Sequence, residues 1–178
     1  MIGVTSDDYD PTAVPVSHAA TVMLLDDRPD LHVLMVHRTA KVVFAPDMWV
    51  FPGGRVDPDD HLDDFDRLCQ GLSDEQASAI LEVDRGGLAW WIAAARETLE
   101  EAGLLLASSA AGGPADASTI AEIRRLVLEN ESVFADVLLE RGISLDVTPI
   151  EEVARFITPV GPPRRFDARF FVARTPDD

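Results

Sequence analysis

Glu97, Glu100 and Glu101 stand at positions i, i+3 and i+4, with Arg96 directly before them and Gly103 just after. On a helix that spacing puts three carboxylates on one face, with Cβ atoms about 5–6 Å apart. Like charges that close repel, and a helix serving stability alone would avoid them. A divalent cation reverses the sign of that cost, because hard ions such as magnesium take several carboxylate oxygens at once. The same stretch carries an apolar face, Leu88, Trp91, Ala95, Leu99 and Ala102, at helical spacing. That face anchors the helix to a core while the other offers carboxylates to a ligand. Arg96 is placed to pair with Glu100 one turn on and to hold the cluster's geometry. Taken alone, the glutamates also read as a solvated acidic face.

Upstream, Met48-Trp49-Val50-Phe51 reads as a short strand ending in a Pro52-Gly53-Gly54 turn, where glycine lets the backbone approach a ligand closely. The acidic segment Asp57–Arg67 fails as a calcium loop: its alternation breaks at His61, and Leu62 stands where the loop needs glycine. It reads as solvated loop. A glycine turn, an acidic segment and a three-glutamate helix together suit a metal-assisted site. Metals there would polarise a phosphoryl oxygen, help deprotonate a water and neutralise the leaving group.

The elements that must position these groups are visible in outline. His18–Leu25 and Leu31–Arg38 read as strands joined by the turn formers of residues 26–30, and Phe44-Ala45-Pro46-Asp47 reads as another turn. Ser73 and Gln76 form a capping box that opens a helix to about Val83. Gly86-Gly87 ends that segment, and the glutamate helix follows over Leu88–Ala102, closed by Gly103. Residues 107–118 read as a loop, Thr119–Asn130 and Ser132–Arg141 as helices, Phe156–Pro159 and Phe166–Ala173 as strands. Between those strands, the stiff Gly161–Arg165 loop presents the guanidinium groups of Arg164 and Arg165.

With 178 residues the chain reads as one domain, and its net charge of −17 argues against a nucleic-acid partner, which calls for a basic surface. One cysteine, Cys69, excludes an internal disulfide framework and a cysteine-based zinc site. The acidic N-terminus lacks the features of a signal peptide, and the apolar run Leu88–Ala95 is too short to span a bilayer. A cytoplasmic protein without membrane partners is the expectation.

Gly54 followed by Arg96-Glu97-Thr98-Leu99-Glu100-Glu101-Ala102-Gly103-Leu104 resembles the Nudix box. That signature runs glycine, five residues, glutamate, seven residues, then Arg-Glu-apolar-x-Glu-Glu-x-Gly-apolar. Here Thr98 replaces the aliphatic residue, Asp60 replaces the first glutamate, and residues 61–95 fill the seven-residue interval. A box interrupted in this way resembles the peroxisomal coenzyme A diphosphatase branch and its bacterial relatives. Phe51–Asp57, Ile157-Thr158-Pro159 and Pro163–Phe171 look like other parts of that branch. Arg38, thirteen residues before Phe51, matches part of its coenzyme A motif, although Val43 and Asp47 depart from it.

The resemblance implies a single α/β domain, the Nudix α/β/α sandwich with a mixed sheet, with residues 58–87 as a helical insertion inside the box. Such domains usually continue with a further strand and helix, whereas this sequence stops at Asp178 directly after a strand, so the closing C-terminal elements are expected to be absent from it. An open sheet edge there invites pairing with a second copy, and a homodimer is expected. The implied activity is metal-dependent hydrolysis of a nucleoside diphosphate linked to another group. Coenzyme A or acyl-coenzyme A, giving 3′,5′-ADP and 4′-phosphopantetheine, is the leading substrate. ADP-ribose, NADH and dinucleoside polyphosphates are alternatives, as is a non-catalytic nucleotide-binding module. Glu97, Glu100 and Glu101 become ligands for magnesium or manganese, and one of them doubles as base. Arg96 orients them, Asp57 and Asp60 are supporting acids, and Gly53 and Gly54 shape the backbone around the diphosphate. Arg38, Arg164 and Arg165 are the expected phosphate contacts, since guanidinium forks match phosphate oxygens.

Overall fold

The computed structural model describes residues 10–39, 47–109 and 115–175. In chain order the strands are β1 (Val16–Asp26), β2 (His32–Val33), β3 (Val36–His37), β4 (Trp49–Val50), β5 (Gly53–Arg55), β6 (Cys69–Gln70), β7 (Ala107–Ser109), β8 (Ile143–Asp146), β9 (Glu151–Ile157) and β10 (Arg165–Arg174). The helices are α1 (Phe65–Leu68), α2 (Asp74–Leu81), α3 (Leu88–Ala102), α4 (Ala117–Glu129) and α5 (Phe134–Arg141). Single 3₁₀ turns cover Pro58–His61 and Glu131–Val133.

β1 is the axis of a mixed five-stranded sheet. It runs parallel to β10, which pairs antiparallel with β9; on its other side β5 and β2 share its length. Ala20, Val22 and Leu24 alternate inward along β1, and Phe171 and Ala173 do the same along β10. α3 lies over that face. Trp91 packs against Phe171 with ring centroids 4.9 Å apart and donates its indole N–H to the Ile150 carbonyl at 2.9 Å. Every residue from Leu88 to Arg96 is buried, so the first turns of α3 are enclosed on all sides rather than on one stripe.

α3 has the bounds that its apolar spacing predicts, and Gly103 ends it with a left-handed φ of 72° and an N–H bond to the Leu99 carbonyl. α2 starts at Ser73 with both capping-box bonds formed, Gln76 N–H to Ser73 and Ser73 N–H to Gln76. It also fixes the start of α3. Asp74 accepts from the N–H groups of Gly86 and Leu88, and the Ser78 hydroxyl accepts from Gly87, so the first amides of α3 are satisfied from α2.

Four expectations change. The strand expected over Leu31–Arg38 is split, because β5 already occupies β1 at Ala19–Thr21; after Leu34 bonds the Leu24 carbonyl, the chain leaves to pair β3 with β4. Gly53-Gly54 is extended strand rather than a turn. Only glycine lets β5 lie so close: a Cβ on Gly53 would stand 2.4 Å from the Ala20 oxygen. The loop expected at 107–118 begins with β7, which pairs with β8 in a second sheet ordered β6-β8-β7. The acidic stretch after Asp57 is partly ordered and buried: Asp60, Phe65 and Leu68 all face inward. Of the turn expected at 44–47, residues 44–46 lie outside the described residues, as do residues 110–114 of the expected loop and the N-terminal residues 1–9. No helix is long and apolar enough to cross a membrane among the described residues.

Candidate metal centre

The site is built around Arg96, which the fold buries at 3% exposure. A guanidinium has five N–H donors in a fixed fork, and all five are used. Nε and Nη2 bind the two oxygens of Asp60 at 3.0 Å each, and Nη2 also donates to the Arg55 carbonyl at 3.0 Å. Nη1 donates to Glu97 Oε1 at 3.0 Å and to Glu100 Oε1 at 3.1 Å. One buried cation thereby spaces two glutamates on the helix face and ties them to the 3₁₀ turn and β5. Asp60 is held in turn by the Asp57 N–H at 2.8 Å. Asp57 itself pairs with Arg55, whose Nη2 lies 2.7 Å from Oδ1.

β5 completes the centre. The Gly53 N–H donates to Glu101 Oε2 at 3.0 Å. Gly54 faces Glu97 so closely that a Cβ there would lie 2.2 Å from Glu97 Oε1. The end of the helix is secured by Arg124 of α4, which donates through Nε and Nη2 to the Glu100 carbonyl at 3.2 and 2.8 Å; a cation there also suits the helix dipole. Thr98, in the aliphatic position of the signature, is buried with its hydroxyl donated to the Ala94 carbonyl at 2.7 Å.

Burial pushes the Glu97 carboxyl up to about 7, and Glu100 and Glu101 add to the rise against the lowering pull of Arg96. Burial likewise raises Glu100, with Glu131 and Asp60 contributing. For Arg96 burial alone would lower the guanidinium, but Asp60, Glu97 and Glu100 outweigh it and hold it charged. The centre gathers Asp57, Asp60, Glu97, Glu100 and Glu101 against Arg55 and Arg96. Among the described residues no three His, Cys, Asp or Glu side chains already converge on a metal position. The donor set nevertheless fits a hard divalent cation. Each glutamate commits one oxygen to the bonds above, the donors are all carboxylates, and their excess charge is what a bound cation would neutralise.

A pH dependence follows from Glu97. Its proton is bound more tightly in the folded chain (about 7) than at the ordinary value of 4.5. That contribution to cation-free stability is full below about pH 4.5 and is lost as pH rises through about 7. A cation competes with the same proton. Manganese affinity, followed by titration at pH 6, 7 and 8, is therefore expected to fall about tenfold per pH unit below 7 and to level off above it.

The other expected contacts are spread out. Arg38 sits beside the β3–β4 hairpin, its N–H bonded to the Met48 carbonyl, and that hairpin leads into Pro52-Gly53. Arg165 begins β10 opposite Val16, four residues along β1 from the Ala20–Gly54 pair, about 13 Å of strand rise away. Its Nε donates to the Thr158 carbonyl at 3.1 Å and its Nη1 to the Val14 carbonyl at 3.5 Å, so this guanidinium braces the sheet rather than facing the glutamates. Arg164 is exposed beside it. Asp60 was marked by its position six residues after Gly54, but its two-oxygen grip on Arg96 is a tertiary fact. Arg124 carries no distinguishing sequence signal, as one of two adjacent arginines on an amphipathic helix.

The model of the NUDT19 Nudix domain family matches residues 75–177. The chain belongs to this Nudix family. Within it, the chain is 28% identical to the acyl-coenzyme A diphosphatase NUDT19 of Gallus gallus, over 80% of this chain and 48% of that protein. Identity to the Xenopus laevis protein of the same name is 29%, over 80% of this chain and 47% of that one. The chain thus spans about half the length of the curated relatives it matches. A crystal structure of a NUDIX hydrolase from Alicyclobacillus acidocaldarius superposes with a TM-score of 0.70 at 27% identity, covering 91% of this chain and 71% of that one. The Nudix domain therefore carries its glutamate helix on the mixed α/β fold that the interrupted box implied.

Proposed function

We propose that this Nudix domain hydrolyses the diphosphate of coenzyme A or acyl-coenzyme A, with magnesium or manganese held by Glu97, Glu100 and Glu101. The observation that carries the reading is the Arg96 hub, which fixes two of the glutamates while Gly53 fixes the third. The names of the avian and amphibian relatives supply the substrate class. The cation, when bound, polarises a phosphoryl oxygen and lowers the acidity threshold of water.

The chain's own groups do the rest. One of the three glutamates doubles as the base that takes a proton from the attacking water, and Glu97, positioned by Arg96 and pressed against Gly54, is the candidate. The water oxygen forms a bond to one phosphorus, the bridging P–O bond breaks, and the electron pair leaves with the second phosphate. With coenzyme A the products are 3′,5′-ADP and 4′-phosphopantetheine. Gly53 and Gly54 let β5 lie against β1 and Glu97 and so shape the backbone beside the glutamates, and the half-buried Arg38 and the exposed Arg164 are the guanidinium groups available to meet the diphosphate.

The test is a substrate panel with magnesium and with manganese: coenzyme A, acyl-coenzyme A, ADP-ribose, NADH and diadenosine polyphosphates, with products identified by mass. Release of 4′-phosphopantetheine, with coenzyme A compounds ahead of the others, is expected. Turnover of ADP-ribose or NADH alone would move the substrate assignment. Turnover of none would favour a nucleotide-binding module.

A further inference from the structure

Segment 58–87 and the elbow between α4 and α5 enclose a cavity of about 210 Å³ that Arg96 lines from one side. Since Arg96 also holds Glu97 and Glu100, the cavity adjoins the carboxylate centre. Its lining is mixed, and the apolar part is formed by the rings of Phe65 and Phe134, 5.9 Å apart, with Leu62 and Ala135 beside them. Its polar lining is acidic. Asp57 and Asp60 are tied to Arg55 and Arg96, whereas Asp59 and Glu131 form no ion pair among the described residues. Arg96 has no donor left for a ligand, and Arg55 is engaged with Asp57.

Such a lining repels a phosphate and offers acceptors to N–H groups above an apolar floor. On the reading that the substrate is a coenzyme A compound, its two halves differ in this respect. The nucleotide half carries a further phosphate on its ribose. The pantetheine half beyond the diphosphate is uncharged, with amide N–H groups and a branched hydrocarbon. We infer that this cavity is the subsite for the uncharged, amide-bearing pantetheine arm, and that it orients the diphosphate so that the 3′-phosphorylated nucleotide lies on the opposite side of the glutamates. The amide N–H groups meet Asp59 and Glu131, and the hydrocarbon lies on Phe65 and Phe134. Selectivity for coenzyme A over other diphosphates then depends on residues outside the glutamate helix.

Ser132, exposed on the cavity rim, allows the cavity to be blocked from outside. The test is calorimetric titration of the chain and of Ser132→Trp with 4′-phosphopantetheine and with 3′,5′-ADP, in magnesium. Ser132→Trp is expected to weaken 4′-phosphopantetheine at least about tenfold, a 1.4 kcal/mol change, and to leave 3′,5′-ADP within about twofold. Weakening of 3′,5′-ADP instead would assign the cavity to the nucleotide and overturn the inference; equal loss of both, or no loss of either, would also overturn it. Should Ser132→Trp lower the melting temperature, Ser132→Leu serves as the smaller block, with the same direction expected. A parent chain that binds neither product overturns the inference, and its turnover of coenzyme A then decides whether the proposed function falls with it. Turnover by the parent with unchanged binding in Ser132→Trp removes the subsite alone.

Discussion

Arg96→Met is expected to cost about 3–5 kcal/mol of folding stability, the usual result of removing one partner from a buried ion pair. The reason lies in what remains. Asp60 is buried with both oxygens bonded to Arg96, and Glu97 and Glu100 each rest on Nη1. Methionine fills the space and supplies none of the five donors. Three carboxylates would then share a half-enclosed site with no cation to offset them. Urea unfolding of the parent and Arg96→Met measures the loss. Adding Asp60→Leu is expected to restore a large part of it, since it removes the most deeply buried of the stranded charges. A stability change below about 1 kcal/mol would show that Arg96 does not hold the centre together.

The second large effect separates two neighbouring glycines. Gly54→Ala is expected to fold and to lose at least about a hundredfold in hydrolysis, part of the several kcal/mol that a cation contributes. The three atoms nearest the new methyl all belong to the tip of Glu97, Oε1 at 2.2 Å and Cδ at 2.4 Å first, so the carboxylate swings aside and the backbone stays. Gly53→Ala meets something that cannot swing. Its methyl would lie 2.4 Å from the Ala20 oxygen and 2.7 Å from the Thr21 Cα, both backbone atoms of β1. The β5–β1 pairing must shift, and a stability loss of about 1–3 kcal/mol is expected. Melting curves and turnover for the two variants, side by side, check the contrast. Equal behaviour of the two would mean that Gly54 has no special relation to Glu97.

What the sequence reveals follows the range of the interactions involved. α3 was legible to the residue, because its apolar spacing and its closing Gly103 are local signals. The capping of α2 by Ser73 was legible for the same reason. β7 and β8 were not, because their ladder forms between segments more than thirty residues apart. β5 was read as a turn, since Pro-Gly-Gly is a turn signal until β1 and the glutamate helix press in from both sides. The candidate centre divides similarly. The three glutamates and Arg96 announce themselves by spacing within two turns of helix. That Asp60, 36 positions earlier, would supply the buried counter-charge for Arg96 depends on how the 58–87 segment folds back. Arg165 shows the opposite case. A guanidinium in a proline-rich loop looked available for phosphate, and the register of β10 against β1 commits it to backbone carbonyls instead.

The claim on which the rest depends is that the glutamate face of α3 binds a divalent cation. Manganese titration followed by electron paramagnetic resonance, at pH 8 on the parent and on Glu97→Gln and Glu101→Gln, tests it without reference to any substrate. Saturable binding by the parent, weakened at least about tenfold in each variant, is the expected result. Manganese bound equally by all three proteins would contradict the site and leave the carboxylates of α3 as a braced acidic surface.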